Sequence, residues 1–484
     1  MSAVNVKAAM VGFDITPEIH PEFGAWGTTP LVTVLDPECP RLVARCLVLE
    51  QDDHRAIWFG SDLCGEPLPF TQSLRQEVAD ALNVPLEQII WSTSQAHSTG
   101  AIPGSVMCGS HINERVIADP DFIEAQRRRL MSSYVESARE AMSTLRSVRI
   151  SAGRGFCDSI GYNSRFPMPS GGCKFSRSYA EGLQGGKYYD PTIGVVRFDD
   201  LDGHPMGAIF NHGCHPAVLI MCHYCSPDWV GTARTHVEAA IAGAPAMFVQ
   251  GFCGDVHPRH MFGTPAQARR LGDRLGKAAA EAVSRLTPVR AEPFQTSFDT
   301  IEITCQAMPS REECEVEIAR RQAFIDDLDA DPQATWCCGF NLPDPGLFTA
   351  AERAATAQLT IDYFLEALRM IEKGIEPRRT LDVPIGAVRI GDVGAALSPG
   401  ENFTITGRRV RERSPFAHTL ICGDTNGLFG YIGTDDEIDR GGFETDFFWR
   451  ILEFEGLRLP PAKGSAGRVV EGLTSLLDGL SRDR

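Results

Sequence analysis

Short apolar runs alternate with longer amphipathic segments along the chain. The apolar runs predict strands at 42–49, 55–59, 195–198, 208–210 and 246–249. Apolar residues at helical spacing predict long helices at 120–145 and 264–283. A last helix has an apolar face formed by Val470, Leu473, Leu476, Leu477 and Leu480. This succession of strands and helices predicts an α/β fold.

The order of the elements also predicts a domain organisation. We expect one large domain over residues 1–456, with mixed β-sheets flanked by helices. Two long helices interrupt the pattern at about 310–374 and predict a helical hairpin insertion. A Pro- and Gly-rich linker then leads to the last helix, so residues 457–484 form a separate C-terminal segment.

Composition and charge limit the possible partners. The 484 residues carry a formal net charge of -17, which disfavours binding to nucleic acid or to anionic membranes. The N-terminus lacks the apolar run of a signal peptide, and no stretch is apolar enough to insert into a membrane. The 15 cysteines are an odd number, which suits a reducing compartment. We therefore expect a cytoplasmic protein with a small-molecule substrate; a homo-oligomer is left open.

Histidines cluster in three loops that each follow an apolar run. These loops contain, in order, Gln95 with His97, His212 with His215, and Asp255 with His257 and His260. Ligand sites of α/β proteins lie in such loops, and neutral imidazole is a common zinc ligand. The alternative is that each histidine only caps its loop.

Other polar candidates also follow apolar runs. Glu401 and Tyr431 each lie in a Gly-containing turn after an apolar strand, and either could be structural or functional. The acidic run Thr434–Glu437 is typical of a solvated turn or a helix start. The Cys222–Cys225 pair has no suitable second pair, so we interpret both as loop thiols rather than zinc ligands.

Taken in order, these segments resemble the catalytic domain of the neutral/alkaline non-lysosomal ceramidases, from about residue 10 to residue 450. The resemblance rests on collinear motifs that are each short, namely Gly12–Pro17, Gln95–Gly100, Asn211–Pro216, Ser226–Gly231, Gly254–Pro258, Ser398–Asn402 and Gly430–Thr434. It implies an α/β domain with mixed sheets and a deep zinc site.

The resemblance also implies site residues. By their positions in the motifs, the metal ligands would be His97, His215, Glu401 and Tyr431, and they would hold one zinc ion per chain. The residues implied near the reacting bond are Gln95, Arg165, Asp255 and His257. Arg165 falls one residue from the position of the family's substrate-facing arginine.

The chain departs from the family pattern in three ways. Gln95 replaces the leading zinc-binding histidine, and His257 replaces the nucleophilic serine. The motifs end near residue 450, so we expect neither the additional C-terminal β-domain nor the secretion of the larger ceramidases. A serine mechanism is therefore excluded, and long-chain ceramide is not the expected substrate.

These departures leave alternatives for His257 and for the activity. His257 could be a relocated metal ligand or a general base for water, or the pocket could have lost its metal and only bind a ligand. The leading hypothesis is a zinc-dependent hydrolase that uses metal-bound water on a carbonyl-type bond, in first place an amide. The alternatives are a metal-dependent enzyme for a small sugar derivative or lactone, and a non-catalytic binding protein.

Overall fold

The structure is a computed structural model. It describes residues 6–22, 24–26, 32–103, 119–169, 171–176, 179–220, 222–328, 350–451 and 457–482. The loop predicted between the two helices of the insertion, with Cys337 and Cys338, lies outside the described residues. Within the described ranges, no helix is both long and apolar enough to cross a membrane.

A nine-stranded mixed sheet forms the first layer of the core. Its strands are, in spatial order, β15 (Ala246–Gln250), β13 (Pro205–His212), β12 (Thr192–Asp200), β8 (Arg146–Phe156), β1 (Lys7–Asp14), β5 (Val43–Gln51), β6 (His54–Ser61) and β7 (Ile89–Thr93), and β17 (Thr287–Val289) pairs with β8. The pairs β13–β15 and β6–β7 are parallel. The pairs between them are antiparallel.

A four-stranded sheet packs against the first. Its order is β18 (Phe294–Thr304), β19 (Thr380–Ile390), β20 (Val393–Leu397) and β22 (His418–Cys422), and β20–β22 is parallel. Alternate residues of the two sheets share one buried cluster, in which Trp58 and Ile209 of the first sheet join Val388 and Leu420 of the second. The two sheets therefore face each other and bury a common core.

Helices cover the outer faces of both sheets. They are α1 (Leu68–Leu82), α2 (Pro120–Ser143), α3 (Tyr179–Gly185), α4 (Asp228–Ala240), α5 (Pro265–Val283), α6 (Arg311–Asp326), α7 (Ala350–Lys373), α8 (Thr404–Arg413), α9 (Asp435–Arg440), α10 (Phe448–Ile451) and α11 (Ser465–Arg482). A 3₁₀ turn spans Leu86–Gln88, and a π-turn spans Phe443–Phe447. α1 and α2 cover one half of the first sheet, and α4 and α5 cover the other.

The predicted α/β class with mixed sheets and flanking helices is confirmed. The helix predicted at 264–283 is α5, and it packs closely on α4: a Cβ atom on Gly272 would overlap Trp229 and Thr232. α6 and α7 pack on each other. α11 packs on β18 and β19 through Leu473 and neighbouring apolar residues.

Short two-stranded ladders fix the loops at the strand ends. They pair β2 (Ile19–His20) with β3 (Gly24–Ala25), β4 (Val34–Leu35) with β14 (Tyr224–Cys225), β9 (Gly161–Asn163) with β16 (Val256–Pro258), β10 (Arg165–Pro167) with β11 (Cys173–Phe175), and β21 (Gly400–Asn402) with β23 (Gly430–Ile432). The β9–β16 and β21–β23 ladders contain three of the predicted site residues, His257, Glu401 and Tyr431.

Candidate active site

Loops after five strands bring the predicted ligands together. His97 follows β7, His215 follows β13 and His257 follows β15, while Glu401 and Tyr431 follow β20 and β22. Because β13–β15 and β20–β22 are parallel pairs, the carboxyl ends of both pairs open at one edge. The histidine rings and the Glu401–Tyr431 pair therefore lie in one buried cluster.

His215 is held between an acceptor on each side. Its Nδ1 lies 2.9 Å from the carbonyl oxygen of Val256, which can only accept, so Nδ1 carries a proton. Its Nε2 lies 3.0 Å from Oε2 of Glu401. In a neutral imidazole this Nε2 would be an acceptor facing a carboxylate acceptor. The contact is therefore favourable only with a proton or a metal cation between the two atoms.

Glu401 and Tyr431 are placed by backbone register. β21 and β23 pair in parallel with Glu401 opposite Tyr431, so the two side chains emerge beside each other. Burial raises the pKa of the Tyr431 phenol well above its usual value, and the charge of Glu401 raises it further. A cation at this point would offset both effects, because it favours an ionised carboxylate and phenol.

His257 stacks on His215. The ring centroids are 4.5 Å apart and the planes differ by only 7°. Phe175 contacts the His257 ring edge-on at 4.5 Å. Both ring nitrogens of His257 are buried without a hydrogen-bond partner. Burial, followed by the neighbouring imidazoles, lowers the pKa of His257 well below its usual value, so the ring is neutral at pH 7.

His97 completes the histidine cluster. Its ring centroid lies 5.7 Å from that of His215, and its Nε2 is buried without a partner. Burial, then His215, lowers the pKa of His97 to about 4. A neutral imidazole with a free ring nitrogen is the form that binds a transition metal.

Gln95 lies beside the cluster in a strained backbone position. Its φ of 64° is in the left-handed region, which a non-glycine residue seldom occupies. Its side-chain oxygen accepts a hydrogen bond from Sγ of Cys253 at 3.2 Å, and its backbone N–H donates to Leu63. The position that the resemblance assigns to a zinc-binding histidine thus holds an amide bonded to a buried thiol.

Arg165 lies in a buried ionic cluster rather than facing an open pocket. Its guanidinium donates to Glu437 at 2.6 Å, to Glu444 at 2.5 Å and to the carbonyl oxygen of Gly441 at 2.6 Å. It also lies over the ring of Phe403. In this conformation the guanidinium of Arg165 is therefore engaged by partners within the protein.

The same cluster corrects the interpretation of the acidic run. α9 does start after Thr434, but the Glu437 side chain is buried and pairs with Arg165, Lys187 and Arg440. It is not part of a solvated turn. Its partner Arg165 lies 272 residues earlier in the chain, so local sequence could not reveal the pairing.

Asp255 holds the loop that carries His257. Its carboxylate accepts hydrogen bonds from the Asn163 side chain and from the backbone N–H of Thr404, both at 2.7 Å. Burial raises the pKa of Asp255 to about 6 despite these two donors. Asp255 therefore joins β9, β16 and the start of α8 and sets the position of His257 through the backbone.

The donor set of the cluster fits a zinc ion. Two ligand atoms at about 2.0–2.1 Å from one zinc with tetrahedral angles lie roughly 3.3 Å apart, close to the 3.0 Å between His215 Nε2 and Glu401 Oε2. The bond from His215 Nδ1 to a backbone carbonyl is the usual support of a metal-binding histidine. The partnerless Nε2 of His97 supplies a further nitrogen.

A second, exposed group could also hold a metal. Ligand atoms of Asp200, Asp202 and His204 lie within 4.8 Å of one another. Within the described ranges, no other three His, Cys, Asp or Glu residues have ligand atoms at such short distances. The group forms the β12–β13 turn, where Asp200 accepts from the backbone N–H groups of Asp202 and His204. The close approach of these three side chains is therefore explained by the hydrogen bonds of the turn.

Three residues of the site were missed from the sequence. Asp424 and Cys253 are buried in the loops after β22 and β15, and Phe175 contacts the ring of His257. Asp424 follows the apolar run of β22, so the strand-end rule that selected Glu401 could have selected it. Cys253 and Phe175 carry no comparable signal, because apolar and thiol side chains are common in any core.

Comparisons with known proteins identify the fold. The neutral ceramidase from Pseudomonas aeruginosa superimposes with a TM-score of 0.65 and 18% identity, covering 99% of this chain and 75% of that one. A ceramidase complexed with C2 gives a TM-score of 0.68, again with 18% identity, covering 99% of this chain and 76% of that one. No family model and no curated protein matches the sequence.

The class is therefore a mixed α/β protein with a buried polar site at its strand ends. More particularly, the chain has the neutral ceramidase-like fold over its whole length, as the resemblance predicted.

Proposed function

We propose that the protein is a zinc-dependent hydrolase that cleaves an amide bond of a small-molecule substrate. The observation that carries the proposal is the contact between Nε2 of His215 and the carboxylate of Glu401, which needs a cation or a proton between two acceptors. The other candidate ligands that the motifs imply beside His215 are His97, Glu401 and Tyr431. Bound zinc would polarise the carbonyl group and lower the pKa of a coordinated water.

His257 is the proposed proton acceptor for the attacking water. A metal bound to imidazole lies in the plane of the ring, so the parallel, stacked rings of His215 and His257 cannot bind one ion in this conformation. The two free ring nitrogens of His257 leave it able to accept a proton. This favours the general base over the relocated ligand among the roles considered from the sequence.

The surroundings of His257 favour an acyl group over a sugar. Phe175 contacts the His257 ring, and Phe443 lies beside both Phe175 and Tyr431. Met261 and Phe262 extend this apolar wall. An apolar acyl chain can pack on such a wall, whereas the hydroxyl groups of a sugar would lose hydrogen bonds to water there. Ceramide, from which the two fold relatives take their name, is an N-acyl amide.

The test combines metal content with hydrolysis. Purified protein, reconstituted with zinc, is assayed against a panel of N-acyl amides of increasing chain length and against lactones. We expect about one zinc per chain and release of a carboxylic acid from amides, with both lost in His215→Ala. His204→Asn, in the exposed turn, is the control and should retain both. Metal bound equally by the His215 variant, or turnover of lactones alone, would contradict the proposal.

A further inference from the structure

Asp424 is a buried carboxylate without a partner. Its side chain is 2% exposed, and neither Oδ1 nor Oδ2 has a hydrogen-bond partner. Within the described ranges it is the one carboxylate with both oxygens in this state. A buried charge or polar group without a partner is unfavourable and calls for an explanation such as an ion.

The backbone holds Asp424 firmly in this place. Its φ of 44° is in the left-handed region, and its carbonyl oxygen accepts from the backbone N–H of Thr93 at 3.2 Å. Backbone hydrogen bonds also hold the neighbouring residues: the N–H of Gly423 donates to Gln250 at 3.0 Å, and the N–H of Asn426 donates to Trp91 at 2.6 Å. The surrounding fold therefore maintains a conformation that is strained for aspartate.

Asp424 lies on the side of the site that Gln95 leaves without an imidazole. Its carbonyl oxygen accepts from Thr93, two residues before Gln95, and the next residue, Thr425, donates its backbone N–H to Ser398, at the start of the Glu401 turn, at 3.1 Å. Cys253 donates to the Gln95 side chain at 3.2 Å. Asp424 therefore lies between the loop that carries Gln95 and the turn that carries Glu401.

We propose that Asp424 is a carboxylate ligand of the zinc site and takes the place of the imidazole missing at Gln95. The inference rests on the proposed function, and it adds a ligand that the family-like motifs do not contain. Two carboxylates, Glu401 and Asp424, together with neutral histidines balance the charge of a divalent cation, and zinc accepts carboxylate oxygen. The side chain would have to turn towards the ion, since these ligand atoms do not all lie within 4.8 Å of one another in this conformation.

Ordinary structural carboxylates of this chain differ from Asp424. Asp228 is equally buried and also has a positive φ, but its oxygens accept from the backbone N–H groups of Leu219 and Trp229 at 2.8 and 2.7 Å. Asp228 therefore serves as a matched control, with the same residue type and backbone region but satisfied oxygens.

The test measures zinc affinity and metal-free stability in the same variants. Zinc binding is measured by competition with a chromophoric chelator, and thermal melting is recorded with and without zinc. For Asp424→Asn we expect zinc affinity to fall by about 100-fold or more. This exceeds the usual effect of replacing a residue that hydrogen-bonds to a metal ligand but does not bind the metal itself. The melting temperature of the metal-free variant should rise, because an unpartnered buried carboxylate is removed, while its gain on adding zinc shrinks.

The control should behave in the opposite way. Asp228→Asn loses an acceptor for a backbone N–H, so it should melt lower without zinc and keep the zinc affinity of wild type. Asp424→Ser serves as a second variant should the asparagine protein not fold, and it should also lose affinity. Zinc affinity within about threefold of wild type in a folded Asp424 variant would overturn the inference alone. A wild-type protein that binds no zinc would overturn both it and the proposed function.

Discussion

Replacing Arg165 by methionine separates a structural role from a substrate-facing one. The change keeps the volume of the side chain but removes the charge between Glu437 and Glu444. Glu437 retains Lys187 and Arg440 as partners, whereas the remaining contact of Glu444 is the Ser164 hydroxyl at 3.4 Å. The variant thus leaves Glu444, which is 1% exposed, as a buried charge without a cation.

The expected magnitude follows from this geometry. Breaking a buried ion pair by removing one partner lowers the free energy of unfolding by about 3–5 kcal/mol. With an unfolding entropy of roughly 2.1 cal/mol/K per residue, the 484 residues give about 1 kcal/mol/K, so the melting temperature should fall by about 3–5 °C. Adding Glu444→Gln to Arg165→Met removes the stranded charge and should restore most of this loss.

The assay is urea denaturation of the metal-free proteins, monitored by tryptophan fluorescence, together with steady-state kinetics on the same proteins after they are reconstituted with zinc. A structural role predicts a lower denaturation midpoint with a nearly unchanged KM for the folded enzyme. The reasoning would be refuted by a stability within about 1 kcal/mol of wild type together with a large rise in KM. That result would support the substrate-facing role that the resemblance implies for Arg165.

Three further outcomes are expected. His257→Ala should keep its zinc and lose about 100-fold or more in kcat, the scale of general-base catalysis; loss of metal with activity would make His257 a ligand instead. The metal-free protein should lose stability as the pH falls from about 6.5 towards 4. In the folded protein the pKa of His97 is about 4 and the pKa of His212 is also lowered, so in this range the unfolded chain binds protons that the folded chain does not. His97 alone should contribute about 3 kcal/mol of this loss, so His97→Gln should flatten the pH profile of urea midpoints, and an unchanged profile would argue against buried neutral imidazoles. Long-chain ceramide micelles should release little fatty acid, because His257 occupies the position that the resemblance assigns to the nucleophilic serine; rapid release, abolished by His215→Ala, would contradict this.

Local pattern was sufficient to predict several helices and strands and the loops that carry the histidine cluster. The helix expected at 120–145 spans Pro120–Ser143, and the strand expected at 246–249 spans Ala246–Gln250. The loops of His97, His215 and His257 were found by one rule, that polar residues directly after buried strands gather at a sheet edge. The spacing of apolar residues and the position of a residue just after a strand are local properties, so they can be recognised in a single sequence.

Long-range pairing was not predictable in the same way. The sequence predicts that Glu437 is part of a solvated acidic run, but its side chain pairs with Arg165, which lies 272 residues earlier in the chain. Asp424 has no charged residue near it in sequence, and only the folded structure shows that its carboxylate is buried without a hydrogen-bond partner. The stacking of His257 on His215, which bears on its role, depends on the β9–β16 ladder and likewise has no local signal.

The zinc ion proposed between His215 and Glu401 is the inference on which the other proposals depend. Diffraction data collected on both sides of the zinc absorption edge, from crystals of the reconstituted protein, test this directly. We expect one strong anomalous peak about 2.0–2.2 Å from Nε2 of His215 and from a carboxylate oxygen of Glu401. A peak confined to the exposed turn of Asp200, Asp202 and His204, or no peak in protein soaked with zinc, would contradict the account.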